Sequence, residues 1–263
     1  MPKFVTSNGK LLTATNAGSA LYFSSNPNSG VIPPASNIYQ NPNQITVECW
    51  AFPQQIASAG LTMALFFTSR LASNYQWYWR LDPFGAAANK NSKMVLTHYG
   101  TGLPYTGNAV IPSDAWVHLA FTFNKDLPSG QLRFYVNGQI DAIFNTGNVA
   151  STTITGGLPN IGWGYLDSNG AHRFRGLLDT CRIWNYARSA AQIASAYLTR
   201  LVPLESGLIA DYGFDSTGTT AFDRSSQVNN AAIGGSGSGL TSMARQGSTI
   251  PYTDNTTGSL III

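Results

Sequence analysis

The sequence predicts an all-β fold, with one short helix after the last core strand. Three observations predict it. Runs in which apolar and polar residues alternate recur along the chain between turn residues, the pattern of strands with one buried face. Asn137-Gly138 separates two such runs and supplies the positive φ angles of a tight hairpin. Only the segment from Ser189 to Leu201 shows helical spacing. At 263 residues the chain suits one large β domain better than two small ones, since sandwiches often run to roughly 200–250 residues.

The elements follow in order. Ala20-Leu-Tyr-Phe23 opens the series. Ile45-Thr-Val-Glu-Cys-Trp-Ala-Phe52 places Ile45, Val47, Cys49 and Ala51 on one side, and Pro53 ends it. Residues 61–69 form a mostly apolar run. In Tyr75-Gln-Trp-Tyr-Trp-Arg-Leu81, Tyr75, Trp77, Trp79 and Leu81 share a face, and Asp82-Pro83-Phe84 reads as the loop beyond. A strand over residues 93–99 leads into a Gly/Pro-rich loop reaching Pro112. Residues 116–123 alternate with Val117, Leu119, Phe121 and Phe123 inward, and residues 132–136 and 139–143 flank the Asn-Gly turn. Residues 159–163 and 176–184 complete the core strands. Ser189-Ala-Ala-Gln192 is a capping box, and Ala191, Ile193, Ala194, Tyr197, Leu198 and Leu201 give an apolar stripe that Pro203 stops. The expected organisation is an N-terminal arm over 1–17, a β-sandwich over 18–201, and a C-terminal extension over 202–263. That extension holds a returning strand at 207–214, a flexible Gly/Ser stretch at 234–239 and the apolar end Leu260-Ile261-Ile262-Ile263.

Composition excludes several classes. Charged residues are 10%, against roughly 25% in an average domain. The net charge of +3 is not gathered into a patch; Arg173 and Arg175 make the nearest cluster, which is too small for a nucleic-acid binder. No stretch reaches about 18 apolar residues, so no membrane insertion is expected. The first residues lack the apolar region of a signal peptide, and synthesis in a cytoplasm is expected. Cys49 and Cys181 make neither a disulfide framework nor a metal set and read as two buried thiols. A disulfide between them is open if their strands are neighbours, though the missing export signal argues against it.

The ordered strands, with Leu132-Arg-Phe-Tyr-Val-Asn-Gly138, Asn160-Ile-Gly162 and Gly176-Leu-Leu-Asp-Thr-Cys-Arg-Ile-Trp-Asn185 followed at once by a helix, resemble the laminin-G-like, concanavalin A-like jelly-roll family over about residues 18–201. Residues 207–215, 218–223 and 229–233 are similar to the segment that joins tandem copies of such domains. The resemblance implies a sandwich of two stacked, curved antiparallel sheets and a module that binds glycans or proteins without catalysis. It also raises calcium. Family members often carry an acidic turn after the first strand, but Ser24-Ser25-Asn26-Pro27-Asn28-Ser29-Gly30 has no carboxylate. Asp179 matches the family's acidic position in the late strand and is the weak metal candidate, with a hydrogen-bonded structural role as the alternative. No other cofactor is expected.

Catalysis is not expected. Glycoside hydrolysis needs two carboxyls roughly 5–9.5 Å apart. The two glutamates, Glu48 and Glu205, lie far apart in sequence, and Asp211 and Asp215 would sit about 13 Å apart on a continuing strand. His98, His118 and His172 occupy different segments beside no serine elbow or cysteine motif, and His118 reads as a packing or hydrogen-bonding residue. Glycan binding is the live chemistry. Trp77 and Trp79, or Tyr78 and Arg80, are expected to line an exposed groove while the other pair fills the core, with Tyr99, Tyr105, Trp163 and Tyr165 as weaker loop candidates.

These readings predict a non-catalytic structural or adhesive protein on the surface of an assembly. A bacteriophage virion decoration (cement) or fibre-type protein fits best, self-associating, contacting other virion proteins, and able to hold host or cell-surface polysaccharide. Leu260, Ile261, Ile262 and Ile263 are the expected assembly contact. The alternative is a free soluble glycan-binding lectin, with a glycoside hydrolase third.

Overall fold

The structure, a computed structural model, describes residues 18–23, 30–34, 43–54, 62–71, 74–85, 91–98, 103–147, 158–162, 174–199, 205–234, 245–247, 250, 253–254 and 259–260. The strands are β1 (Ser19–Phe23), β2 (Val31–Ile32), β3 (Gln44–Pro53), β4 (Met63–Leu71), β5 (Asn74–Phe84), β6 (Asn91–His98), β7 (Pro104–Thr106), β8 (Val117–Asn124), β9 (Leu132–Val136), β10 (Gln139–Phe144), β11 (Leu158–Ile161) and β12 (Gly176–Trp184). The helix α1 (Ala190–Ala196) follows, then β13 (Leu208–Tyr212), β14 (Thr220–Ala221), β15 (Ala231–Ile233), β16 (Arg245–Gly247), β17 (Thr253–Asp254) and β18 (Ser259–Leu260). One antiparallel sheet runs β10-β9-β8-β3-β12-β1-β16, with β13 also on β12; the other runs β14-β15-β2-β11-β4-β5-β6-β7.

Alternation sets what lies between the sheets. Ile45, Val47, Cys49 and Ala51 of β3 and Val117, Leu119, Phe121 and Phe123 of β8 face the common core. Trp77 and Trp79 of β5 meet them from the opposite sheet. The Trp77 ring lies 4.9 Å from Phe123, 5.7 Å from Phe121 and 4.4 Å from His98, while Trp79 meets Phe121 edge-on at 5.3 Å. The Asn137-Gly138 turn forms as expected, with φ of 48° and 76°. A Cβ on Gly138 would press to 2.6 Å from the Tyr197 ring, so this hairpin also needs glycine for space.

Several short elements depart from the sequence reading. Asp82, Pro83 and Phe84 continue β5 rather than leaving it as a loop, and β7 forms inside the expected Gly/Pro-rich loop. That loop is pinned by Asp141, whose carboxylate accepts the backbone N–H groups of Asn108 (3.0 Å) and Ala109 (2.7 Å). The segment after residue 205 is woven into both sheets: β13 pairs with β12, and β15 pairs with β2. Asp223 ties that segment, accepting from the backbone N–H groups of Asp211, Ser225 and Asn229 and from the Ser225 hydroxyl, all at 2.7–2.8 Å. The capping box forms in both directions, but α1 is shorter than the expected stripe, and Ala191 and Ala194 are exposed. Beyond it Thr199 N–H turns back to the Ala196 carbonyl, and the carbonyls of this turn meet the sheet below: Trp50 Nε1 donates to that of Tyr197 (3.0 Å) and Arg182 Nη2 to that of Thr199 (2.7 Å).

Beneath α1, the outer face of the first sheet carries a buried charge cluster. Arg182 Nη1 donates to Glu48 Oε1 at 3.0 Å, and its Nε stands 3.5 Å from Asp211 Oδ1. The second Glu48 oxygen accepts no hydrogen bond from the described residues and is faced at ion-pair distance by Arg188 Nη1 (3.6 Å) and His118 Nε2 (3.7 Å). Arg188 also pairs with Glu205 (2.9 Å) and lies over the Trp184 ring, while Arg224 clamps Asp211 (2.8 Å) and Asp215 (3.3 Å). Burial alone would push the Glu48 carboxyl up, but the charges of His118, Arg182 and Arg188 outweigh it and bring its pKa from 4.5 down to about 2. His98, buried among aromatic rings, is lowered by that burial from 6.5 to about 4.

Both shifts weaken the fold in acid. The unfolded chain binds protons first at each site, so stability falls from pH 6.5 towards 4 through His98 and from pH 4.5 towards 2 through Glu48. Each contributes roughly 3 kcal/mol when complete. Urea unfolding at stepped pH should show both losses. His98→Phe should flatten the upper one, and Glu48→Gln should cost about 3 kcal/mol near neutrality by removing the buried carboxylate that Arg182 and Arg188 share. A variant as stable as the parent at every pH would contradict the assignment for that residue.

Candidate functional site

The sandwich has two unlike outer faces. On the first sheet, Thr46, Glu48 and Trp50 of β3, His118 of β8 and Arg182 of β12 are buried beneath α1 and its flanking chain. Thr46 fixes that chain: its hydroxyl donates to the Tyr186 carbonyl (2.7 Å) and accepts the Arg188 N–H (2.8 Å). The fold brings Glu48 and Glu205, distant in sequence, to the two ends of one guanidinium. It likewise gathers Asp211 and Asp215 on Arg224, because β13 ends at Tyr212 and does not run on as an extended strand. Glu48 and Glu205 do not make an acid–base couple. Glu48 is fully buried and its carboxyl is held low, whereas a general acid needs its pKa raised.

The outer face of the second sheet is built differently. Alternation in β5 sends Tyr78, Arg80, Asp82 and Phe84 outward, opposite Thr97, Val95, Lys93 and Asn91 of β6 in register. Thr106 of β7 pairs with Val95 and is exposed. Tyr78, Val95 and Thr97 are buried, and exposure grows along β5 towards Phe84, which is 45% exposed. Arg80 is fixed by three contacts: Nε donates to Asp82 Oδ1 (2.8 Å), Nη1 donates to the Thr97 hydroxyl (2.8 Å), and the guanidinium lies 4.8 Å from the Tyr78 ring centroid. The Tyr78 hydroxyl is 3.1 Å from that of Thr62. Lys93 Nζ lies 4.4 Å from the Phe84 ring centroid. The arrangement offers a cation on a rigid strand, a carboxylate, a second cation, a hydroxyl and an exposed ring.

The sequence-predicted residues divide sharply. Tyr78 and Arg80 lie on this outer face. Trp77 and Trp79 do not line a groove: each is 1% exposed and glues the two sheets. Tyr105 is half-buried and turned towards Phe144, its ring 5.2 Å away. Tyr99, Trp163, Tyr165, Ile261, Ile262 and Ile263 lie outside the described residues, and Leu260 pairs with Thr253 across β17 and β18. Asp179 is buried and accepts from the Thr180 hydroxyl (3.1 Å). Among the described residues no three His, Cys, Asp or Glu side chains gather as a metal site. Sequence reasoning missed Lys93 and took Phe84 for a loop residue, although the phase of Tyr78 and Arg80 extended two steps reaches Phe84.

No curated protein matches the sequence. Among solved structures, the chain resembles a Bacteroides ovatus protein provisionally named as carbohydrate-binding, at 20% identity and TM-score 0.64 over 90% of this chain, and it spans 62% of that protein's length. It also resembles the native heptameric SAP-like pentraxin of Limulus polyphemus, at 15% identity and TM-score 0.52 over 68% of this chain and 81% of that one. A third is the CBM40 of the Ruminococcus gnavus IT-sialidase bound to α2,3-sialyllactose, at 13% identity and TM-score 0.50 over 67% and 94%. At these identities the likeness establishes the fold alone. The family model described as the concanavalin A-like lectin/glucanases superfamily matches residues 24–194, and the chain belongs to that family.

Proposed function

We propose that this chain is a non-catalytic carbohydrate-binding domain whose ligand lies on the outer face of the second sheet, along Arg80, Asp82, Phe84, Lys93 and Thr106. One observation carries the reading: that face presents polar groups held on strands beside an exposed ring, while the opposite face is closed by a helix over paired charges. Two Arg80 nitrogens are already engaged, so the guanidinium is pre-positioned, and its Nη2 has no partner among the described residues. A sugar ring can stack its C–H groups on Phe84 and take hydrogen bonds from Arg80 and Lys93 to its hydroxyls, with Asp82 as acceptor. The similarity to lectin-type folds supports the reading.

A second observation favours an adhesive role on the surface of an assembly, such as a virion. Edge strand β10 exposes Ile140 (47%) and Ile143 (54%), a placement that invites neighbours. Size fractionation of the native source, with mass spectrometry of this chain's peptides, tests it. Stoichiometric presence in large particles is expected, and presence only in the small soluble fraction contradicts it.

Glycan binding is tested by calorimetry on ligands drawn from a panel of neutral and acidic polysaccharides. Arg80→Ala and Phe84→Ala should each weaken binding about tenfold or more. Phe84→Ala should leave stability within about 0.5 kcal/mol, whereas Trp77→Ala should cost about 3–5 kcal/mol. Binding that survives both Arg80→Ala and Phe84→Ala, or that is absent across the panel, overturns the assignment.

A further inference from the structure

The two cysteines occupy adjacent antiparallel strands, and a defect in the ladder brings them together. Between β3 and β12, Asp179 pairs with Trp50 and Arg182 with Glu48. Thr180 and Cys181 therefore stand against the single residue Cys49, a β-bulge, and Thr180 takes a left-handed φ of 49°. The extra residue shifts the alternation by one. Leu178 faces inward and Asp179 outward; without the bulge Thr180 would enter the core and Cys181 would point towards α1. With it, Cys181 joins Cys49 in the core and Arg182 meets Glu48 outside. Both thiols are buried and free, on facing positions of neighbouring strands.

We propose that Cys49 and Cys181 form a disulfide site, a cross-strand bond made by exchange with a small-molecule disulfide such as oxidised glutathione while the strands are still open. The Cys49 thiolate attacks one glutathione sulfur, and the first glutathione leaves as its thiolate. The Cys181 thiolate then attacks the Cys49 sulfur of the mixed disulfide and expels the second. Two protein S–H bonds and one glutathione S–S bond are lost, one protein S–S bond is gained, and the two glutathiones carry off both electrons and both protons.

Closure of the sandwich then locks whichever state is present. Burial pushes the Cys181 thiol well up, reinforced by Cys49 and by the negative charges of Asp179 and Asp211, so the attacking thiolate is scarce in the folded chain. The redox state thus records the conditions under which the chain folded. A chain folded under reduction keeps its thiols after transfer to an oxidising medium, and one folded under oxidation keeps its bond against a mild reductant.

The test refolds the full chain from urea either in a glutathione redox buffer or with dithiothreitol, and weighs the products unreduced. Oxidative refolding should lower the mass by two hydrogen atoms, yield a peptide pair joined at Cys49 and Cys181, and raise Tm by about 5 °C or more. The dithiol protein, kept folded in the same buffer, should retain both thiols over hours. Cys49→Ser and Cys181→Ser should each keep one free thiol and show no rise in Tm. Should refolding fail, production of the chain in an oxidising secretory compartment gives the same mass readout. Two free thiols after oxidative folding, a bond between chains, or rapid oxidation of the native dithiol protein would overturn the proposal.

Discussion

Glu48 is a carboxylate without access to water, and the outer half of the molecule is arranged around it. A lone buried charge is untenable; this one is held by Arg182 from the neighbouring strand, Arg188 from the chain entering α1, and His118 from the strand on its other side. Each partner draws its own segment in. Arg182 reaches the Thr199 carbonyl beyond the helix, Arg188 reaches Glu205, and Asp211 extends the network through Arg224 to Asp215. The tail of the chain is thereby held to the sandwich by charge as well as by the pairing of β13 and β15. The Thr180 bulge is a condition of this arrangement, since it sets the phase that turns Arg182 outward towards Glu48 and Cys181 inward.

This closure gives the fold its polarity. Where the helix covers one sheet, Glu48, Arg182 and Arg188 are paired and buried. The other sheet leaves the far end of β5 and its neighbours in solvent, and the side chains there are braced by one another on strands rather than on loops. Binding surfaces gain precision from such rigid support. The aromatic residues serve two different ends accordingly: Trp77 and Trp79 bind sheet to sheet, while Phe84, on the opposite phase of the same strand, faces outward.

Much of this was legible because it is local. The alternation of β3 and β8, the Asn137-Gly138 turn and the Ser189 capping box are short-range chemistry, and each formed as the residues dictated. The Tyr78 and Arg80 side of β5 was legible as one of two options, and deciding between them needed the opposing sheet. What was not legible depends on distant partners. The strands β2, β14 and β15 have two or three residues each and carry no period of their own. The helix was overread because nothing local signals that Thr199 turns back on Ala196. The meeting of Glu48 with Arg182 and Arg188 joins residues far apart in sequence, and the bulge beneath it has no glycine to announce it.

The central claim is that the segment from residue 205 to 234 is part of the cooperative sandwich and is held there by the Glu48 cluster. Amide hydrogen exchange of the native chain near neutral pH measures this directly. The account predicts that β13 and β15 exchange as slowly as β8, and that Glu48→Gln accelerates β13 and the chain around Arg188 more than β8 and β9. Rapid exchange in β13 and β15 while β8 stays protected would mean that the tail detaches on its own, and would contradict the claim.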